Sequence, residues 1–321
     1  MSTPVKTGPV GETSSPTRPG GPRRRRWWEV AAGKDPIGLL FSTPFAVFLA
    51  LVFVYPLGLG IYIAFHDYMF TAPGADVDRP FVGFDNFVEV LTDPKVHASF
   101  VHVAIFLVIN VPLTILLGLL LAAALNVAAR RVRTVLRVAY YVPYVTASVA
   151  TVTVWMFMFN SNGIVNTILG PLAPDPSWFV NPALAMPMIA LYVTWKQLGF
   201  FILLYLAGLQ NIPDSLYEAA RTDGANAWQT FWAVTWPGVL PATGLVATLA
   251  IITGANLFTE PYLLTGGGGP NGASTTPVLL IYQEGIQQNH PDTASAIGIV
   301  LVVGVLALTW IARRITEGAD R

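Results

Sequence analysis

Lys196 is the position at which this chain could do chemistry. It stands deep in an apolar run, with Trp195 before it and Gln197 after it. An ammonium group inside a bilayer-length apolar segment is costly, and such groups face a cavity, a substrate route or a partner. Tyr192 lies one turn earlier on the same segment, and Asn256 and Glu260 interrupt the next apolar run. Lys196, Gln197, Tyr192, Asn256 and Glu260 are therefore the candidate substrate pathway, a set of groups suited to binding and passing a polar solute. A Lys196–Glu260 pair is one arrangement, although the two are expected at different depths. The structural alternative for Lys196 is a bond to a carbonyl or to a sister subunit. For Tyr192 and Asn110 it is helix–helix hydrogen bonding.

Bond-making chemistry finds no support. There is no cysteine, which removes disulfides, thiolate metal sites and cysteine nucleophiles. His66, His97, His102 and His290 are scattered without ligand spacing. The run Gly266 to Gly269 before Pro270 lacks the Lys and Ser/Thr of a phosphate loop and reads as a flexible outer loop. No Ser/His/Asp or paired-carboxylate set shares a face. The expectation is a chain with no catalytic, metal or cofactor site of its own.

The elements that position these residues are membrane helices. Hydrophobic residues make up 54% of 321 positions and charged residues 11%, against about 25% charged in soluble domains. Crossing a ~30 Å hydrocarbon layer takes roughly 20 mainly apolar residues. Six segments qualify, near 37–66, 99–125, 138–160, 184–210, 242–263 and 294–312. Residues 1–36 are rich in Pro, Gly, Ser and Thr and hold Arg23 to Arg26, which reads as a disordered basic tail. The apolar stretch after it is too long for a cleavable signal and reads as the first span. The membrane region then covers 37–316, with a short tail at 317–321.

Charge placement sets the topology. Lys6, Arg18, Arg23 to Arg26 and Lys34 precede the first span, Arg130, Arg131, Arg133 and Arg137 follow the second, and Arg313, Arg314 and Arg321 follow the last. The opposite loops carry only Arg79 and Lys95. Both termini are expected in the cytoplasm, with Trp27 and Trp28 in an interfacial belt. The arginines of 130–137 read first as topology signals, with a lipid-headgroup role as the weaker alternative.

Hydrophobicity breaks at 211–241, between the fourth and fifth spans. Pro213-Asp214-Ser215 suits a helix start, with Asp or Ser as cap and Glu218 near the positive end. Asp223-Gly224 supplies a turn. A second amphipathic stretch presents Ala227, Trp228, Phe231 and Trp232, and Pro237 and Pro241 are expected to end it. The product is a helical hairpin on the cytoplasmic side whose aromatic and alanine face suits a partner's groove.

Glu218-Ala219-Ala220, three residues, Gly224, nine residues, Val234, one residue and Trp236-Pro237 resembles the EAA loop of binding-protein-dependent ABC transporter permeases. Trp236 stands where that family carries Leu. Tyr55-Pro56, Phe81 to Phe87, Gly163 to Asn166, Ala207 to Pro213 and Leu264 to Pro270 extend the likeness to sugar permeases of the MalF and glycerol-3-phosphate type. The resemblance implies an all-α fold with six transmembrane helices and type I ABC importer permease architecture, in a bacterial plasma membrane. It implies that Glu218, Ala219, Ala220, Asp223 and Gly224 contact an ATPase subunit. The implied partners are an ATPase dimer that binds ATP and Mg, a second related permease and an extracytoplasmic substrate-binding protein. A sugar is the expected cargo. Glycerol-phosphate or another polyol is the alternative, and an ATPase-independent secondary transporter is the rival of another class.

Overall fold

The computed structural model describes residues 36–318 apart from 73, 75 and 76. The tail expected over 1–36 lies, up to residue 35, outside the described residues, as do Trp27, Trp28 and residues 319–321. The chain divides into two units, Met1–Gly58 and Leu59–Arg321.

In the first unit the described chain is helical from Pro36 onward, and the span it begins, α1, covers Phe41–Ala64. It contains a π-helical turn at Ala50–Val54, where the Tyr55 N–H reaches back five residues to the Ala50 carbonyl. Pro56 follows immediately. A proline lacks an N–H and crowds the carbonyl four residues earlier, and a widened turn relieves both effects. The side chains from Phe41 to Gly58 are exposed, as an all-round apolar helix in lipid requires.

The second unit carries the remaining helices: α2 (Asp85–Thr92), α3 (Pro94–Val127), α4 (Arg130–Val145), α5 (Ser148–Met158), α6 (Ile164–Leu169), α7 (Ala185–Gln210), α8 (Asp214–Thr222), α9 (Ala227–Ala255), α10 (Thr259–Leu264), α11 (Pro277–Tyr282) and α12 (Pro291–Gly318). Among the described residues the β-structure is one isolated bridge between His66 and Phe81. α3 and α7 form the most extensive helix pair, and α9 packs on α3, α7 and α12. Asn110 Nδ2 donates to Thr194 Oγ1 across the α3–α7 seam at 2.8 Å, both buried. Asn110 is thus helix–helix glue. Two apolar clusters flank this seam, one around Phe106, Trp155 and Tyr192, the other around Leu125, Phe201 and Tyr205.

Among the described residues five helices are long and apolar enough to cross a membrane, and there are six if the bent pair α4–α5 counts as one span. The straight span expected at 138–160 is corrected to α4 and α5, which meet at 95°. Pro143 weakens the end of α4, and Thr146 and Ala147 are extended, so the ladder stops and restarts. The basic stretch 130–137, expected as a loop, is the first half of α4. The fifth span, expected over 242–263, is corrected to Ala227–Ala255. Pro237 and Pro241 do not end the hairpin's second helix, because a π turn at Phe231–Thr235 carries the Trp236 N–H back to the Phe231 carbonyl. It is the same device as at Pro56. The run Gly266 to Gly269, expected as a flexible loop, is a tight turn with φ of 65°, 93°, 117° and 76°. It is held by Ser274 N–H to the Gly268 carbonyl at 2.8 Å.

The turn and amphipathic stretch expected after Phe81 are Gly83 (φ 63°) and α2. Asn86 ties α2 to the end of α1, its Nδ2 donating to the carbonyls of Ala64 and His66 at 3.0 and 3.1 Å. Those carbonyls have no helical partner of their own. Asn86→Ala leaves them unpaired in a buried place, at a cost of about 1–3 kcal/mol. A lower thermal midpoint of the solubilised protein is the expected reading.

Candidate functional site

The hairpin 213–235 is assembled by local hydrogen bonds. α8 begins after Pro213, whose side chain cannot cap, so the expected capping by Asp214 or Ser215 is corrected. Asp214 instead sits in the first turn, where its charge meets the positive helix end. The helix closes with Gly224 N–H to the Arg221 carbonyl at 3.1 Å and Ala225 N–H to the Ala220 carbonyl at 2.9 Å. Gly224 supplies the left-handed residue with φ of 73° that this closure needs.

The next helix starts with a capping box. Asn226 Oδ1 accepts from Gln229 N–H, and Gln229 Oε1 accepts from Asn226 N–H, both at 2.9 Å. Tyr217 and Thr235 hydroxyls share a hydrogen bond of 3.2 Å that joins the two arms. Sequence reasoning missed both features; the Asn226-x-x-Gln229 spacing is the signal that could have found the first, and nothing in the sequence signals the Tyr217–Thr235 contact.

Glu218, Ala219, Asp223 and Gly224 are exposed, and Ala220 is half-buried. Trp228 is 69% exposed and Trp232 49%, with ring centroids 5.6 Å apart. Phe231 is half-buried and packs on the core, so it leaves the expected outward face. The exposed tryptophans and the neighbouring alanines form an apolar patch on the hairpin. Behind the hairpin lies a cavity of about 420 Å³ lined by Asn126, Asp214, Tyr217, Glu218, Arg221 and Thr235. The hairpin is therefore not packed flush on α3.

The second constellation forms at the α4–α5 break. Lys196 Nζ donates to Ser148 Oγ, at the first residue of α5. A cation at a helix amino end meets the unfavourable pole of the helix dipole, so oxygen ligands or a carboxylate must offset it. Glu260, at the start of α10, lies within electrostatic range of both Lys196 and Tyr192. Tyr192 is fully buried, and its hydroxyl shares a 2.7 Å bond with Thr151 on α5. Its ring meets Trp155 edge-on at 5.4 Å.

The fold thus brings together Lys196, Tyr192 and Glu260, with half-buried Gln197 adjoining. Asn256 is exposed, and its Nδ2 turns back to the Ile252 carbonyl at 2.8 Å. Sequence reasoning missed Ser148, Thr151 and Trp155. Their spacing of three and four residues is helical, but nothing in it announces that α5 starts beside Lys196.

An apolar helical bundle, a bent helix pair lined with a few polar groups and an exposed helical hairpin are the features of a polytopic membrane protein. Residues 114–320 match the family described as binding-protein-dependent transport system inner membrane component. The chain belongs to this family of ABC transporter permeases and is a multi-pass inner-membrane protein. It is 30% identical over 316 residues to the arabinooligosaccharides transport system permease protein AraP of Bacillus subtilis (strain 168), covering 98% of this chain and 97% of AraP. It is 30% identical over 302 residues to the sulfoquinovosyl glycerol transport system permease protein SmoG of Agrobacterium fabrum (strain C58 / ATCC 33970), covering 93% of this chain and 96% of SmoG. Its fold matches a chain of the bacterial alginate ABC transporter crystallised in complex with alginate pentasaccharide-bound periplasmic protein. The TM-score there is 0.73 at 24% identity, covering 90% of this chain and 98% of the other.

Proposed function

We propose that this chain is one transmembrane half of an ATP-driven importer for a carbohydrate. Its hairpin 213–235 is the handle by which ATPase subunits move the bundle. A second related permease completes the pore, and an extracytoplasmic binding protein delivers the sugar. The arginine and lysine distribution favours cytoplasmic termini and a cytoplasmic hairpin. The observation that carries the reading is the open hairpin, with Glu218, Ala219 and Asp223 exposed around a glycine whose added Cβ would meet nothing within 4 Å. Since the chain has no cysteine, Ala219→Cys gives a unique thiol. In the assembled transporter it should cross-link to an ATPase subunit, with a yield that changes when ATP binds, because a handle drives switching only if two partner states hold it differently. A thiol that reacts freely with water-soluble reagents in the intact transporter, and never with the ATPase, overturns the reading.

The carbohydrate reading draws on the named cargo of AraP and on the charge balance at the break. Lys196 supplies donors and Glu260, within electrostatic range, supplies acceptors, so a polyhydroxyl solute would meet both. A phosphate monoester would bring further negative charge toward Glu260, and that weighs against glycerol-phosphate. Lys196→Met should lower uptake in proteoliposomes by about tenfold, the effect of one hydrogen bond to a charged group. Affinity of the free binding protein for its sugar should not change. Unaltered uptake by this variant would return Lys196 to a purely structural role.

A further inference from the structure

A cavity of about 660 Å³ shares no lining residue with the Lys196 constellation or with the space behind the hairpin. Three elements enclose it: the first turns of α3, the end of the glycine turn, and the π turn Gln283–Gln287 that continues α11. Lys95, Ala98 and His102 line it from one side of α3, spaced three and four residues apart. Asn271 lines it from the turn, and Gln283, Glu284 and Gln288 form the third wall.

The walls are held by bonds that still leave polar groups for an occupant. His102 Nδ1 bonds the Thr275 carbonyl at 2.9 Å. A carbonyl only accepts, so Nδ1 carries the proton and Nε2 of the neutral ring is an acceptor. Gln283 Nε2 donates to the Gly267 carbonyl at 3.0 Å, which leaves its Oε1. Gln288 Nε2 donates to Glu284 Oε1 at 3.0 Å, which leaves Oε2. The Lys95 ammonium and the Asn271 side-chain amide have no hydrogen-bond partner among the described residues. Lys95, Asn271 and Gln288 are exposed, and His102, Gln283 and Glu284 are half-buried, so the cavity is open at its rim.

These groups narrow the occupant. A metal ion finds no cluster of three ligands among the described residues. An anion meets Glu284, a cation meets Lys95, and an acyl chain meets polar groups on every wall. A neutral polyhydroxyl compound suits all three walls, because each hydroxyl both donates and accepts. It can give to Glu284, Gln283 Oε1 and His102 Nε2 and take from Lys95 and Asn271. Pro94, Ala98 and Leu280 add apolar surface for the C–H faces of a sugar ring. The volume lies within the roughly 300–1,000 Å³ of small-molecule sites.

The cavity stands at the end of α3 opposite the hairpin. Ala98 lines it, and Asn126 of the same helix lines the space behind the hairpin, roughly 42 Å further along. That exceeds the ~30 Å of a hydrocarbon layer. With the hairpin in the cytoplasm, the cavity opens on the outer side.

We propose that this cavity is an outer sugar site, where a neutral oligosaccharide rests between its binding protein and the route past Lys196, with Lys95, Asn271 and Glu284 as its main polar contacts. The inference rests on the importer reading for its side of the membrane and its class of solute. Ala98→Cys places the chain's one thiol in the cavity wall, at an exposed position. The assembled transporter is held in nanodiscs without ATP or binding protein. The rate at which a sulfonated maleimide modifies residue 98 is followed by mass spectrometry, with arabinotriose, maltotriose, lactose or glycerol at tens of millimolar.

At least one of the three sugars should slow the reaction severalfold, and glycerol should not. Lys95→Met and Glu284→Gln, each added to Ala98→Cys, should remove the protection. Lys95 is exposed and unpartnered, so Lys95→Met decides if Glu284→Gln does not assemble. Protection by none of the sugars, or equal protection by glycerol, overturns the site, and protection that survives Lys95→Met overturns its assigned contacts. Protection by sugar-free binding protein alone gives the cavity to a protein contact and overturns the sugar as occupant. A thiol that the reagent never reaches in the assembled transporter overturns the site as well. The readout is binding without ATP, so its failure is distinct from failure of the importer reading, which the Ala219→Cys cross-link decides.

Discussion

Gly224→Val should cut uptake by about tenfold or more and release the ATPase subunits during purification, while the chain still inserts in the membrane. The chain itself offers the new side chain room, since nothing lies within 4 Å of a Cβ built at this position. Two penalties remain. The first is conformational, because Gly224 has φ of 73°, where an L side chain costs about 1–2 kcal/mol and a β-branched one more. The strain would open the closure made by Ala225 N–H on the Ala220 carbonyl and tilt the Asn226 capping box. The second is steric, since a partner seated on Ala219 and Asp223 must approach the backbone at Gly224.

Gly224→Asn separates the two. Asparagine tolerates the left-handed region, so it removes most of the strain and keeps the bulk. Uptake that recovers in Gly224→Asn would assign the defect to backbone strain, and uptake that stays low would assign it to the approach of the partner. Wild-type uptake in Gly224→Val would remove the hairpin from the coupling path. The measurement is co-purification of ATPase together with sugar uptake in proteoliposomes.

How far the sequence revealed this molecule depends on what each signal averages over. Hydropathy integrates across a bilayer's width, so it located the five long apolar helices and the apolar stretch of the bent pair, but not the break at Thr146 and Ala147, two residues inside that stretch. The contact of Lys196 with Ser148 depends on that break, and so it was invisible, although Lys196 itself stood out by charge. The rule that proline ends helices failed at Pro237 for a local reason. A five-residue backward bond at Trp236 widens the turn before it, and no residue type marks such a turn in advance. At the hairpin the position of the turn was legible because Gly224 is needed for its φ. Its amino end was misread, because Pro213 took the cap position that Asp214 and Ser215 appeared to offer. The low hydropathy of the basic run 130–137 suits a loop. It is helical because its valines and arginines alternate with helical spacing against two different surroundings.

The seam that holds the break in place is also the most sensitive point of the packing. A Cβ added at Gly199 on α7 would sit 2.0 Å from the Tyr140 carbonyl oxygen, 2.5 Å from its carbon and 2.8 Å from Tyr141 Cα on α4. All three are backbone atoms, so no side chain can rotate away. α4 and α7 would have to part by roughly 1 Å or more before ordinary contact distances return. In lipid, helices are held by this kind of close approach at small residues rather than by a hydrophobic drive. Gly199→Ala should therefore cost about 3 kcal/mol, at the upper end for overpacking, and Gly199→Leu more. Lys196 lies on α7 about one turn from Gly199, and the α4–α5 break follows Tyr140 closely. Separating the helices would thus also pull Ser148 off Lys196 and Thr151 off Tyr192. The expected result is a sharp fall in the yield of folded transporter, with no uptake in what survives. Gly60→Ala serves as the reference, because a Cβ at Gly60 meets nothing within 4 Å and alanine favours helix over glycine by about 1 kcal/mol. If Gly199→Ala matched Gly60→Ala in thermal midpoint and uptake, the close approach of α7 to α4 would not exist as described, and the position of Lys196 at the break would fall with it.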